Sequence, residues 1–460
     1  MKKQIKTIPL ILGLLLLLQG CKKDPIIKKY ESQRYLAGGK TTVFQESSFS
    51  FSTPANNLIG NSMEQHLAGD AAFEQAFVTA PANVNQGLGP VFNNNACIAC
   101  HPKDGRAPHP DDVNGFTGFF LRASMPGSDI NGGPLAVPGF GGQLAHKAVY
   151  GTEPEVSFGV TYTEHTVTYD DGQTVSLRKP VYYVNDSYIP FPSNAMLSPR
   201  VGPPVFGLGL LEAIPESEII GLADETDSDG DGISGKPNYV WNAASQQLEL
   251  GRFGWKGINP TVLQQCAGAY NDDMGITTPY FPVESSDGQT NGTDLLLNDP
   301  ELSQEELDEV TFYCRTLGVP APRDLDDPFV IKGELLFNKI NCTGCHTTKM
   351  TTGTFPGIPE ISNQTIYPFS DGLLHDMGFG LADNRPSFDA TGHEWKTRPL
   401  WGIGLTQVVG GHTNFLHDGR ARNLEEAIMW HGGEASKSIS LYKSLTKLER
   451  KAIIAFLNSL

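Results

Sequence analysis

Two pentapeptides constrain this chain more than any other feature: Cys97-Ile98-Ala99-Cys100-His101 and Cys342-Thr343-Gly344-Cys345-His346. A redox dithiol needs its Cys-x-x-Cys at the start of a helix that follows a strand, and no β-rich run precedes either pair. Zinc could take four thiolates from the two pairs. They lie about 240 residues apart, however, and zinc leaves both histidines without a task. Haem c uses all three residues, because the thiols add to the vinyl groups and the histidine reaches the iron. Two covalent haem c groups are therefore expected, with His101 and His346 as iron ligands. A zinc-stapled structural or binding protein is the competing reading.

The N-terminus agrees with that chemistry. MKKQIKTIPLILGLLLLLQGCKKDP opens on lysines, continues as a leucine-rich run and reaches Leu18-Gln19-Gly20-Cys21. This is signal-peptide architecture, and its end looks like a bacterial lipobox with Cys21 as the lipidated residue. The expectation is an exported chain, anchored by lipid to a bacterial membrane on its periplasmic or outer face. Residues 1–21 then form the signal and 22–55 a tether, and the lipid is the only membrane contact. Haem c is attached outside the cytoplasm in bacteria, so export and haem support each other. A net charge of −17 over 460 residues argues against a nucleic-acid partner. Of seven cysteines, Cys266 and Cys314 are left over. An oxidising compartment favours a disulfide between them, with two separate buried thiols as the other reading.

Helix signals divide the rest. Gly333, Leu336 and Phe337 stand at helical spacing before the second pentapeptide, and Val91 and Phe92 hold a similar place before the first. Ser303 with Glu306, and Thr446 with Glu449, read as capping boxes that open two closing helices. A Pro-rich charged connector separates the first closing helix from the second haem segment. The expected organisation is an N-terminal cytochrome c-like domain over 56–318, a linker over 319–327 and a C-terminal one over 328–460. The segment Pro204-Val-Phe-Gly-Leu-Gly-Leu-Leu-Glu212 repeats as Pro399-Leu-Trp-Gly-Ile-Gly-Leu-Thr-Gln407. The first unit carries about fifty extra residues, and within them VTYTEHTVTYDDGQTVSLRKPVYYV alternates like a hairpin around Asp171-Gly172. The fold class expected is mostly α: two cytochrome c-like haem domains in tandem, the first with a hairpin-containing insertion at about 115–195.

Asp227, Asp229, Asp231 and Gly232 match the start of a calcium loop, although Asn238 stands where its bidentate glutamate belongs. Calcium and a solvated Asp-Gly loop are both open readings. Trp255 and Trp401 are either electron stepping residues or core aromatics.

SPRVGPPVFGLGLLEAIPE, GRFGWKGINPTVLQQ, DMGITTP, LLHDMGFGLAD and FLHDGRARNLEEAIMWHGGEA, together with the two pentapeptides, resemble the di-haem oxidoreductase family. That family is related to bacterial di-haem cytochrome c peroxidases and is often labelled thiol oxidoreductase. The resemblance spans nearly the whole mature chain. In the peroxidases a residue fourteen positions after the histidine of a His-Asp-Gly segment ligates the electron-transfer haem. Here the segment begins at His417 and the ligand position is His431, where the peroxidases usually carry methionine. His/His ligation should lower the potential of the His346 haem. Met429 lies on another face of the helix, His375 and His412 are rival ligands, and His417 would act by hydrogen bonding. The first unit places Ala223 opposite His431, which leaves the His101 haem open on one side. The resemblance implies that Glu212 or Glu216 moves a proton there and that Arg200 stabilises an anion or pairs with a propionate. The implied activity is peroxidase-like, with hydrogen peroxide or another small oxidant at the N-terminal haem. The C-terminal haem relays electrons from an unidentified donor protein. A non-catalytic electron-transfer lipoprotein with both irons six-coordinate is the alternative.

Overall fold

The structure is a computed structural model that describes residues 32–110, 115–292 and 299–460; Cys21 and the signal segment lie outside them. The expectation of a mostly α fold is wrong. Among the described residues eleven α-helices, many of a single turn, share the chain with thirteen strands in six small sheets. The chain has 50 Gly and 32 Pro, which break helices into short pieces. Among the described residues no helix is long and apolar enough to cross a membrane.

Helix pairs nevertheless frame both units. The Asn61–Glu74 helix packs on the Gln304–Thr316 helix, and the Pro328–Lys339 helix packs on the Lys447–Ser459 helix. Each crossing is so close that only glycine fits at its centre. A Cβ on Gly69 would strike the Glu309 carbonyl, and one on Gly333 would strike the Ala452 carbonyl. Both capping boxes form, Ser303 with Glu306 and Thr446 with Glu449. Val91–Phe92 is not a helix but a two-residue strand paired with Lys147–Ala148; the framing helix of the first unit lies earlier, at Asn61–Glu74.

The nine-residue repeat is a contact between the units. Gly207 and Gly402 both take left-handed backbone, at φ 72° and 70°. A Cβ on Gly207 would meet the Trp401 ring, and one on Gly402 would meet the Phe206 ring. Each unit's glycine thus receives the other unit's aromatic. Two residues on, Gly209 backs onto the Arg315 carbonyl and Gly404 onto the Asn458 carbonyl.

The insertion forms a long antiparallel hairpin, Val156–Thr168 with Thr174–Ser187, turning at Gly172. It packs across the second unit. Tyr169 donates to Glu425 at 2.9 Å, Tyr182 donates to Asp418 at 3.1 Å, and Asp171 pairs with Arg450 at 2.9 Å. Its apolar residues Phe158 and Leu177 share one core with Phe337, Trp430 and Phe456 of the second unit.

Candidate functional site

Each pentapeptide opens into its own cavity, one lined by Cys97, Cys100 and His101, the other by Cys342, Cys345 and His346. His101 is oriented by Nδ1 bonding to the Pro203 carbonyl at 2.7 Å, and His346 by Nδ1 bonding to the Phe369 carbonyl at 2.9 Å. A carbonyl can only accept, so Nδ1 carries the proton and Nε2 keeps its lone pair. Burial lowers both imidazoles to about 4, which keeps them neutral, the form that binds metal.

The two cavities differ on their far sides. His431 lines the second one, with Nδ1 bonded to the Ala427 carbonyl at 2.7 Å and Nε2 left as the lone-pair nitrogen. Burial lowers its pKa, and it lies close enough to His346 to disfavour that residue's protonation. Two neutral imidazoles in one cavity would offer a haem iron two nitrogen donors. The rival residues are placed otherwise. His375 lines this cavity, but its two nitrogens bond Asp371 at 2.8 Å and Glu434 at 2.7 Å. Although burial opposes it, those two carboxylates with Cys345 raise the His375 pKa well above the ordinary value, toward imidazolium. His412 bonds the Arg106 carbonyl at 3.0 Å, and neither it nor Met429 lines the cavity. His417 does line it, stacked on Trp395 with ring centroids 3.9 Å apart, and its Nε2 is buried without a hydrogen-bond partner.

The first cavity has no histidine besides His101 among the described residues, and Ala223 does not line it. Arg200 does: it is buried, its Nε donates to Ser198 at 3.0 Å, and its Nη2 has no hydrogen-bond partner. Asp383 stands 3.9 Å from that Nη2, too far for a hydrogen bond, and accepts instead from Lys256 at 2.8 Å. The two glutamates are elsewhere. Glu212 pairs with Arg315 at 2.6 and 2.9 Å and accepts from the Val262 backbone at 2.8 Å, outside both cavities. Glu216 is exposed and reaches Tyr239 at 3.5 Å.

Three cations without ion-pair partners among the described residues, Arg106 and Lys396 buried and Arg398 half-buried, test whether a haem fits. Arg106, Lys396 and Arg398 line the second cavity, and Arg398 also lines the first. Arg106 Nε has no partner, and Lys396 reaches only the Thr397 carbonyl at 3.3 Å. No ion pair holds Arg398 among the described residues. Desolvation lowers Arg106 to about 9, Lys396 to about 7 and Arg398 to about 10. Buried charge of one sign is costly unless something anionic answers it, and haem propionates would. The residues fit the group. Trp255 lines both cavities, its Nε1 donates to the Val201 carbonyl at 2.9 Å, and the Arg106 and Arg398 guanidiniums lie 5.5 and 5.2 Å from its ring. Trp401 lines the second cavity alone.

The Asp227 loop lies against the second pentapeptide. Carboxylate oxygens of Asp224, Asp227 and Asp229 come within 4.8 Å of one another. Asp231 instead accepts from Asn341, the residue before Cys342, at 3.0 Å. Asn238 is buried away from the loop and donates to the Lys256 carbonyl at 2.7 Å. Cys266 and Cys314 are thiols with sulfurs 4.0 Å apart.

Sequence reasoning missed Arg106, Lys396, Arg398 and Asp224. Arg398 directly precedes the second nine-residue repeat, a usable signal; Arg106 and Lys396 become site residues only through the fold.

Paired cysteines and an oriented imidazole, each built twice, together with the orphaned cations beside them, fit a protein for two haems. The chain belongs to the di-haem oxidoreductase family: the family model described as "Di-haem oxidoreductase, putative peroxidase" matches residues 32–460. Comparison with curated proteins and with solved structures gave no match.

Proposed function

We propose that this oxidoreductase is a peroxidase with divided labour, taking hydrogen peroxide or a similar small oxidant at the N-terminal haem and relaying electrons through the C-terminal one. The observation that carries this reading is the difference between the cavities: His431 stands ready to close the second, and among the described residues no second histidine lines the first. Haem bound at both sites, through thioether bonds to the four cysteines, supplies the iron at which electrons enter and leave. Arg200 offers an unpaired, buried donor to a developing negative charge. Trp255, lining both cavities, offers an aromatic route between them. The Glu212 carboxylate is committed to Arg315, so the proton carrier at the first cavity is not Glu212 in this arrangement.

Export with a lipid on Cys21 completes the proposal, since haem c is attached outside the cytoplasm, and an electron-donor protein then meets the C-terminal unit. One observation favours the electron-carrier alternative: Met274 is buried and lines the first cavity, and a thioether can close an iron. An electron paramagnetic resonance spectrum of the oxidised protein, with and without cyanide, decides. One low-spin and one cyanide-sensitive iron support the peroxidase; two low-spin irons that ignore cyanide overturn it.

A further inference from the structure

We propose that Cys266 and Cys314 are a redox-active dithiol that supplies electrons to the N-terminal haem site and closes to a disulfide as it does so. The inference rests on the reading of that haem as the oxidant site. Cys266 lies in the second turn of the Val262–Met274 helix and Cys314 in the last turn of the Gln304–Thr316 helix. Their sulfurs stand 4.0 Å apart on two packed helices, and a disulfide needs about 2 Å, so closure asks the two sulfurs to approach by about 2 Å. Both residues line the same cavity as Cys97, Cys100 and His101. A structural staple could cross these helices anywhere; this one borders the cavity.

The surroundings also poise one sulfur. Hydrogen bonding between Cys266 and Cys314 lowers the Cys266 thiol despite its burial, and the Thr311 hydroxyl and the Arg315 guanidinium add to that. Glu212 holds that guanidinium in place by its two hydrogen bonds. Glu212 thus positions Arg315 outside the first cavity, although its own negative charge pushes the Cys266 thiol up. Thiolate character favours oxidation. Cys314 is buried and Cys266 half-buried, which suits electron transfer toward the cavity better than exchange with a thiol from solution.

The step balances without a further reagent. Two S–H bonds break and one S–S bond forms, releasing two electrons and two protons. One hydrogen peroxide accepts all four, its O–O bond breaks, and two waters leave. The electron donor of the proposed reading later returns two electrons, water supplies two protons, and the S–S bond breaks to restore both thiols.

The test uses the full-length, haem-loaded protein, reduced with dithiothreitol, desalted without oxygen and treated with one equivalent of hydrogen peroxide. Alkylation with mass spectrometry reads the thiols, and absorbance reads the haems. The expected result is loss of both alkylatable thiols, a Cys266–Cys314 linked peptide, and suppression of that loss when cyanide blocks the iron. Cys314→Ser and Cys314→Ala should keep both haem spectra and form no linked peptide. A haem response with both thiols intact overturns the dithiol and leaves the peroxidase reading standing. A disulfide that survives dithiothreitol under native conditions, or closure unaffected by cyanide, also overturns the dithiol alone. No response of haem or thiols to peroxide overturns both.

Discussion

The two haem units share one frame and differ on one side of each cavity. In both, a glycine-tight helix crossing, at Gly69 or Gly333, sets the distance between helices. In both, a backbone carbonyl turns the pentapeptide histidine so that Nε2 is free. The opposite sides diverge: a helix end delivers His431 to one, while Arg200 with an unpaired nitrogen faces the other. The frame fixes attachment and orientation, and whatever projects from the far wall decides what the iron can bind.

The strongest way to break the contrast is to remove its source. His431→Gly should convert the C-terminal iron from low-spin to high-spin and raise cyanide binding from about one per chain to about two. Relay of electrons to the N-terminal site should collapse. Electron paramagnetic resonance and cyanide titration check this; an unchanged low-spin signal would show that another residue is the ligand.

Arg200→Gln addresses the other cavity. Loss of a buried donor aimed at developing charge costs ~10²–10³-fold in turnover. The fold should survive, because Asp383 keeps its 2.8 Å bond to Lys256. Steady-state peroxide kinetics should show the loss in kcat, while the spectrum of the His346 haem stays as in the wild type. A loss confined to KM would instead assign Arg200 to holding a propionate.

How the sequence relates to this contrast follows from the range of each interaction. The pentapeptides, both capping boxes and the Gly172 hairpin turn were legible because they depend on residues a few positions apart. His431 came from the family resemblance, and it lines the second cavity. Long-range pairing was not legible. Glu212 looked like a free carboxylate, but its partner Arg315 lies 103 positions away. Asp224 sits three residues before the Asp-x-Asp run, outside the loop pattern, yet joins it in space. The mostly α expectation failed because capping and helical spacing mark helices well, while two-residue strands such as Val91–Phe92 leave almost no periodicity to read.

The shared frame can be tested at its glycines. Gly69→Ala and Gly333→Ala each push a methyl into a carbonyl of the facing helix, and overpacking of this kind costs about 1–3 kcal/mol. Both variants should melt earlier by calorimetry, by comparable amounts, since each crossing is built the same way. A large loss at one site and none at the other would show that the frames are not equivalent.

The smallest expected effect separates the units by what braces their pentapeptides. In the first, Asn94 bonds Cys100 at 2.9 Å from within its own segment. In the second, Asn341 reaches across to Asp231 at 3.0 Å, and a Cβ on Gly344 would strike Ile233 of the same loop. If Asp224, Asp227 and Asp229 hold calcium, the ion stiffens a brace that only the C-terminal haem uses. Chelation should then lower the melting temperature by about 2–4 °C, the shift that ~1 kcal/mol produces in a unit of this size. It should perturb the His346 haem spectrum and leave the His101 haem alone, and Asp229→Ala should melt like the chelated wild type and ignore chelator. A chelator response in the N-terminal haem would place the ion elsewhere. No response at all would mean that the aspartates order the loop by their own hydrogen bonds, as Asp227 already does toward Gly232 and Asp229 toward Asp231.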